Sequence, residues 1–591
     1  MRFLFVLLLF VTVNSFAQED ILAKEYFTNG DFGKALFEYK RLYAKSPSNP
    51  NYIMHIVETY QQLEEYDEAE TFLLKLMERF KYPGFFVELG YNYQLKNDIE
   101  NANLNYNKAI ASIDLNPSYV FVVTKSFQNH SLLSEAVIAY EKAMQLKPDY
   151  NFNLQLAQLY GEQGNIEKMF TSYINFAENN PVSLTTIKRY INDFISENSS
   201  NENNIVLRKI LLKKIQQEPN LLWNDMLSWL FIQQKDFSKA FTQEKAIFNR
   251  KPESLSRIED LAGIALNENE KETAKEIYTF IIETAQDLDT LLDAHYNLLQ
   301  IDITESLEEN YGVINLKYLE LFKEFGTFSQ TLNLQISYGH FLAFYVNTPS
   351  KAISFLEATL NLPLNQLQKA EVKLELGDIL LLQEKFNQAL IYYTQIQRNL
   401  KNSTISQEAR YKVAKASYYK GDFKWAESQL KILKASTSQL IANDALDLKL
   451  LISDNKYEDS LQIALKLYAK ADLLIFQNKK EEAITFLDKI LKEHKTEPIV
   501  AQALYKQAFL FEDKKDFEKA EINYQLIIAN YPDGILIDDA YYKLANIYEK
   551  YLNEPEKAKN LYEQILFNHA DSIYFVEARK RYRALRGDAI N

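Results

Sequence analysis

The chain has 591 residues, too many for one compact core, so it is built as several domains or as a repeat array. Its formal charge of −14 argues against nucleic acid as the main partner, because phosphate binding needs a basic surface. There is no cysteine, which excludes disulfides, thiolate metal sites, cysteine nucleophiles and lipid attachment through an N-terminal Cys; the low Gly and Pro content argues against a turn-rich all-β fold.

At the N-terminus, Met1-Arg2 supplies a short positive region and Phe3 to Val13 an apolar run. Asn14-Ser15-Phe16-Ala17 then places small residues at the −3 and −1 positions of a cleavage site. The run is shorter than the roughly 20 residues that span a bilayer. Residues 1–17 therefore read as a cleaved signal peptide. No later run is apolar enough to form a transmembrane segment, so the mature chain is expected in the periplasm or secreted.

From residue 18 the chain repeats. Ala35, Ala69, Ala102 and Ala136 fall 34, 33 and 34 residues apart, each shortly after a turn. An aromatic stands nine residues before each (Tyr26, Tyr60, Tyr93, Phe127), and a large apolar residue four after (Tyr39, Leu73, Tyr106, Tyr140). Pro47, Pro83, Pro117 and Pro148 close the units. This spacing predicts pairs of helices joined by a short turn, with the small residue where the second helix crosses the first. Proline ends the second helix because it has no N–H and clashes with the preceding turn. One hairpin cannot bury its own apolar face, so neighbours must stack.

The pattern resembles the tetratricopeptide repeat: Leu89-Gly90-x-x-Tyr93 matches its first-helix segment, and Ala136, Tyr140, Ala143 and Pro148 its second. The resemblance implies an all-α, right-handed superhelical solenoid that binds proteins and needs no cofactor. A fifth unit closes at Pro181 with Met169 in place of the small residue, giving an N-terminal array over 18–181. Residues 182–330 are less regular, with a Ser/Asn/Glu-rich loop expected near 196–204, though Ala240 and Ala274 keep the register. From 331 to 591 the period lengthens: Ala352, Ala389 and Ala426 are 37 apart, as are Ala483 and Ala520, and Ala558 follows 38 later.

The last units share an A-x-Y-K-x-A segment, at Ala409–Ala414, Ala503–Ala508 and Ala540–Ala545. Together with Tyr531-Pro532-Asp533-Gly534, this resembles the longer repeats of bacterial periplasmic proteins such as the outer-membrane assembly lipoprotein and the Tol-Pal coordinator. Gly534 and Ala570 depart from that pattern. By this resemblance the partners would be envelope proteins or peptides.

The first helix of each hairpin is expected to line a concave face. The positions 15, 11 and 8 before the small residue are then candidate contacts: Met54, Glu58, Gln61, Val87, Tyr91, Gln94, Phe121, Lys125 and Gln128. In the C-terminal units the same reasoning gives Tyr411, Tyr468, Tyr505 and, one residue further out, Tyr542. These tyrosines either form a ladder that meets a partner or pack between repeats. The terminal helix, with Arg579, Lys580, Arg581, Arg583 and Arg586, is either a solvated cap or a dock for an acidic partner. No metal-spaced histidine pair, phosphate-binding glycine loop or nucleophile elbow occurs. The expected function is a non-enzymatic scaffold in the cell envelope. A chaperone-like binder of extended chains and a solenoid enzyme acting on peptidoglycan or glycan are the alternatives.

Overall fold

The computed structural model describes residues 20–433, 438–455 and 462–588; the expected signal peptide lies outside them. All regular structure among these residues is helical, α-helices with a few short 3-10 turns. Phe32–Lys45 shows the local cause, burying Ala35, Leu36, Tyr39 and Leu42 along one stripe. Asp98, Asp236 and Asp516 each accept a hydrogen bond from the backbone N–H three residues on, satisfying a free donor at a helix start. Pro50, Pro349 and Pro555 occupy first helical positions, where the missing N–H costs nothing.

The turns of the regular hairpins each carry one left-handed residue, five positions before the small residue of the second helix. Gly30, Glu64, Asn97, Ser131 and Gly164 precede Ala35, Ala69, Ala102, Ala136 and Met169 in this way. Lys235, Asn269, Asn347 and Glu384 do so before Ala240, Ala274, Ala352 and Ala389, and Gly421, Asn478, Lys515 and Asn553 before Ala426, Ala483, Ala520 and Ala558. These alanines and Met169 are buried where the two helices cross. In two hairpins a first-helix glycine leaves room for a tyrosine ring of the second helix. A Cβ on Gly90 would lie 2.5 Å from the Tyr106 ring, and one on Gly377 would lie 2.2 Å from the Tyr393 ring.

The chain divides into two compact units, Met1–Ile277 and Tyr278–Asn591. In the first unit hairpins stack on their sequence neighbours through clusters such as Ile53, Val57, Leu73, Leu76, Phe85 and Leu89. The loop expected near 196–204 lies earlier, because the next helix starts at Glu202. Buried Asn204 closes that loop, its amide donating to Ser196 O at 2.7 Å and Asn198 O at 2.8 Å.

In the second unit the irregular stretch forms a hairpin of Leu288–Glu305 and Tyr311–Phe325, followed by repeats. One helix departs from the pairing. Gln439–Asn455 packs on Phe423–Leu433 and Thr404–Lys420, while Thr404–Lys420 itself packs directly on Ile463–Phe476. Gln439–Asn455 is thus a spur beside the stack. The core of this part runs continuously from Ala370 to Ala578.

Candidate functional site

The first helices Thr404–Lys420, Ile463–Phe476 and Ile499–Asp513, together with the spur, enclose a concavity of about 780 Å³ in the second unit. Its walls are aromatic and charged. The A-x-Y-K-x-A segments contribute Tyr411, Tyr505, Lys506 and Lys543 to its lining.

Tyr411 and Tyr505 are half-buried in the concavity, and Tyr468 is buried at its floor. Burial, reinforced by Asp444, Asp447 and Asp472, pushes the Tyr411 phenol up to about 12. Tyr542 is half-buried and stacks on Tyr574, ring centroids 4.2 Å apart and planes 10° apart. Tyr574 donates to Asp539 at 2.8 Å, and Tyr505 reaches the same carboxylate at 3.4 Å.

The motif lysines join successive repeats. Lys412 Nζ lies 2.6 Å from Asp378, which also accepts from Tyr393 at 2.6 Å. Lys506 Nζ lies 3.0 Å from Asp472, which accepts from Tyr418 at 2.9 Å. Burial works against the Lys506 charge, but Tyr468 and Asp472 outweigh it and hold the ammonium above its ordinary value. Each lysine finds its carboxylate 34 residues earlier in sequence. The residue 34 before the third motif lysine, Lys543, is Phe509. Sequence reasoning noticed the lysines but not these aspartates; the signal was the fixed 34-residue offset.

The nine positions expected to line the first unit separate. Phe121, Lys125 and Gln128 are exposed on Val120–Asn129. Met54 packs partly against the second N-terminal cluster, Glu58 pairs with His55 at 2.9 Å, and Tyr91 stacks on His130 at 3.9 Å. Gln94 accepts from Tyr106 at 2.8 Å. Gln61 and Val87 are buried, at 6% and 0% exposure. In two repeats the residue eight before the small one bonds the aromatic four after it, Gln94 with Tyr106 and Glu512 with Tyr524. Gly84–Leu95 is in addition enclosed on more than one face, burying Phe85, Glu88, Leu89 and Asn92 along with Val87.

On the terminal helix Phe575–Arg586, Arg581 pairs with Glu577 and Glu549, and Arg583 and Arg586 with Asp588. Arg579 and Lys580 are exposed. No helix among the described residues is long and apolar enough to cross a membrane, and no group of His, Cys, Asp and Glu there could hold a metal ion.

Family profiles of the tetratricopeptide repeat match residues 468–535 and 539–572, the segments that carry the second and third motif lysines. Near its C-terminus the chain carries tetratricopeptide repeats. This class of solenoid suits protein–protein interaction and generally lacks catalytic chemistry. No curated protein matches the chain. Among solved structures it aligns with a chain titled "Structure of Naa15/Naa10 bound to HypK-THB" at 12% identity and a TM-score of 0.26, covering 97% of each chain. It also aligns with one from the APC/C hetero-tetramer Cut9-Hcn1 at 13% identity and a TM-score of 0.22, covering 96% of each. At these scores neither alignment bears on fold or function.

Proposed function

We propose that this protein is an exported, non-enzymatic scaffold of the cell envelope that holds extended segments of partner proteins in its C-terminal concavity. The observation that carries the reading is the concavity itself. It is formed by first helices of repeats, walled by Tyr411, Tyr419, Tyr505 and Phe509, and edged with charge. Such a slot gives a peptide aromatic anchors and polar orientation together. Export is supported by the Met1–Ala17 segment, and an envelope role by the resemblance of the A-x-Y-K-x-A units to periplasmic repeats. In the first unit, Phe121, Lys125 and Gln128 form a secondary contact surface.

The test is site-specific photocrosslinking in the producing cell, with benzoylphenylalanine placed at Phe509 in the concavity or at Ile522, exposed on a second helix. A reproducible set of partners from the first position alone is expected. No crosslinks, or the same pattern from both positions, sinks the reading; hundreds of unrelated chains would instead favour the chaperone-like alternative. N-terminal sequencing tests export separately: the mature chain should begin at Gln18 outside the cytoplasm, and a cytoplasmic chain retaining Met1 overturns it.

A further inference from the structure

The lysines in and beside the concavity fall into two kinds. Lys412 and Lys506 are neutralised by Asp378 and Asp472, which also take a tyrosine hydroxyl. Lys415, one turn beyond Lys412, and Lys543 have no carboxylate within ion-pair distance among the described residues. In Lys543 the 34-residue offset that supplies the other two with aspartates supplies Phe509 instead. Lys415 lies 6.0 Å over each of the Tyr411 and Tyr419 rings, so its stem is packed and its ammonium is held in the slot. Burial lowers its pKa, and Asp472 does not make good the loss. Carboxylates act on both lysines only from beyond ion-pair distance, Asp472 and Asp378 on Lys415 and Asp539 on Lys543, so an incoming anion placed in direct contact adds to their stabilisation.

We infer that the concavity selects acidic–aromatic segments: a side-chain carboxylate of the partner pairs with Lys415 and Lys543 while a neighbouring aromatic or aliphatic side chain lies against Tyr411 and Phe509. This rests on the peptide-binding reading above and narrows it. Asp444 and Asp447 stand exposed on the spur, at another wall of the same concavity. They repel a uniformly acidic chain, so the segment carries isolated acidic residues between apolar ones rather than an acidic run.

The test is fluorescence anisotropy with the full chain and three labelled twelve-residue peptides, acetylated and amidated, in which Leu and Tyr are interspersed with two Asp, two Asn or two Lys residues. The Asp peptide should bind about tenfold or more tighter than the Asn peptide, a ratio worth about 1.4 kcal/mol. Lys415→Gln and Lys543→Gln should each remove most of that preference, with melting curves unchanged; Lys209→Gln, in the other unit, should have no effect. Equal binding of the Asp and Asn peptides, or a preference that survives both glutamine variants, overturns the acidic assignment and leaves the peptide-binding reading standing. A fourth peptide, the Asn sequence with a free C-terminus, that binds as tightly as the amidated Asp peptide overturns the side-chain assignment. Failure of all three peptides to bind overturns both.

Discussion

Lys470 reaches back 86 residues to bond Glu384 at 2.8 Å, beside Gln477, whose amide donates to Leu382 O at 3.0 Å. The pair ties Ile463–Phe476 to the turn after Gln366–Leu382, bypassing the hairpin and spur between them. The bond from Lys470 holds the Glu384 carboxyl below its ordinary value of 4.5. A carboxyl depressed in the folded state contributes stability above its unfolded pKa, and that contribution is lost as pH falls through the folded value. Both side chains are partly exposed, so Glu384→Gln should cost only about 0.2–1 kcal/mol at pH 7. The difference should shrink as pH drops below about 4.5. Urea unfolding of both proteins at pH 7 and pH 3.5 checks this; a cost that does not change with pH would assign it to packing.

The crossing alanines test the register of the hairpins. Ala136 and Ala520 are fully buried. Replacing either with Leu should destabilise its unit by about 1–3 kcal/mol through overpacking. Denaturant unfolding reads this directly, and two variants of unchanged stability would place the crossings elsewhere.

Two glycines give opposite signs for one chemical change. A Cβ at Gly377 meets the fully buried Tyr393 ring at 2.2 Å, whereas one at Gly263, within Ser256–Asn267, meets nothing within 4 Å. Gly377→Ala should destabilise by about 1–3 kcal/mol. Gly263→Ala should stabilise by about 0.5–1 kcal/mol through the entropy removed from the unfolded chain. Thermal melts of the two variants should move in opposite directions.

Lys515 holds a positive φ of 59°, a conformation that costs an L-residue about 1–2 kcal/mol and glycine almost nothing. Lys515→Gly should therefore raise stability by about 0.5–1 kcal/mol after glycine's larger entropy loss is counted. A melt that falls instead would show that the lysine side chain contributes more than its backbone strain removes.

Much of this fold is legible in the spacing of a few residues. The small residue at Ala35, Ala102 or Ala520 marks a crossing because no larger side chain lets two helices approach there, and the turn precedes it by a fixed five residues. Other features depend on partners distant in sequence. Nothing local says that Gln439–Asn455 leaves the stack, or that Lys470 meets Glu384. The candidate surface was legible only in part for a related reason. Counting from Ala69 and Ala102 finds the right helix, but burial of Gln61 and Val87 is decided by the hairpins on either side. The carboxylates at Asp378 and Asp472 lie one repeat before the lysines they serve, so reading a single motif misses them.

The spur has a mechanical consequence. In a linear stack, widening a groove normally means prying one repeat from the next, against a full nearest-neighbour interface. Here one wall, with Asp444, Asp447, Leu448 and Leu451, belongs to Gln439–Asn455, while the stack runs on from Thr404–Lys420 to Ile463–Phe476 without it. The shape of the groove on that side is therefore set by how Gln439–Asn455 seats on Phe423–Leu433 and Thr404–Lys420, where Ala445 and Ile452 are buried, and not by the spacing of the repeats that carry the tyrosine floor.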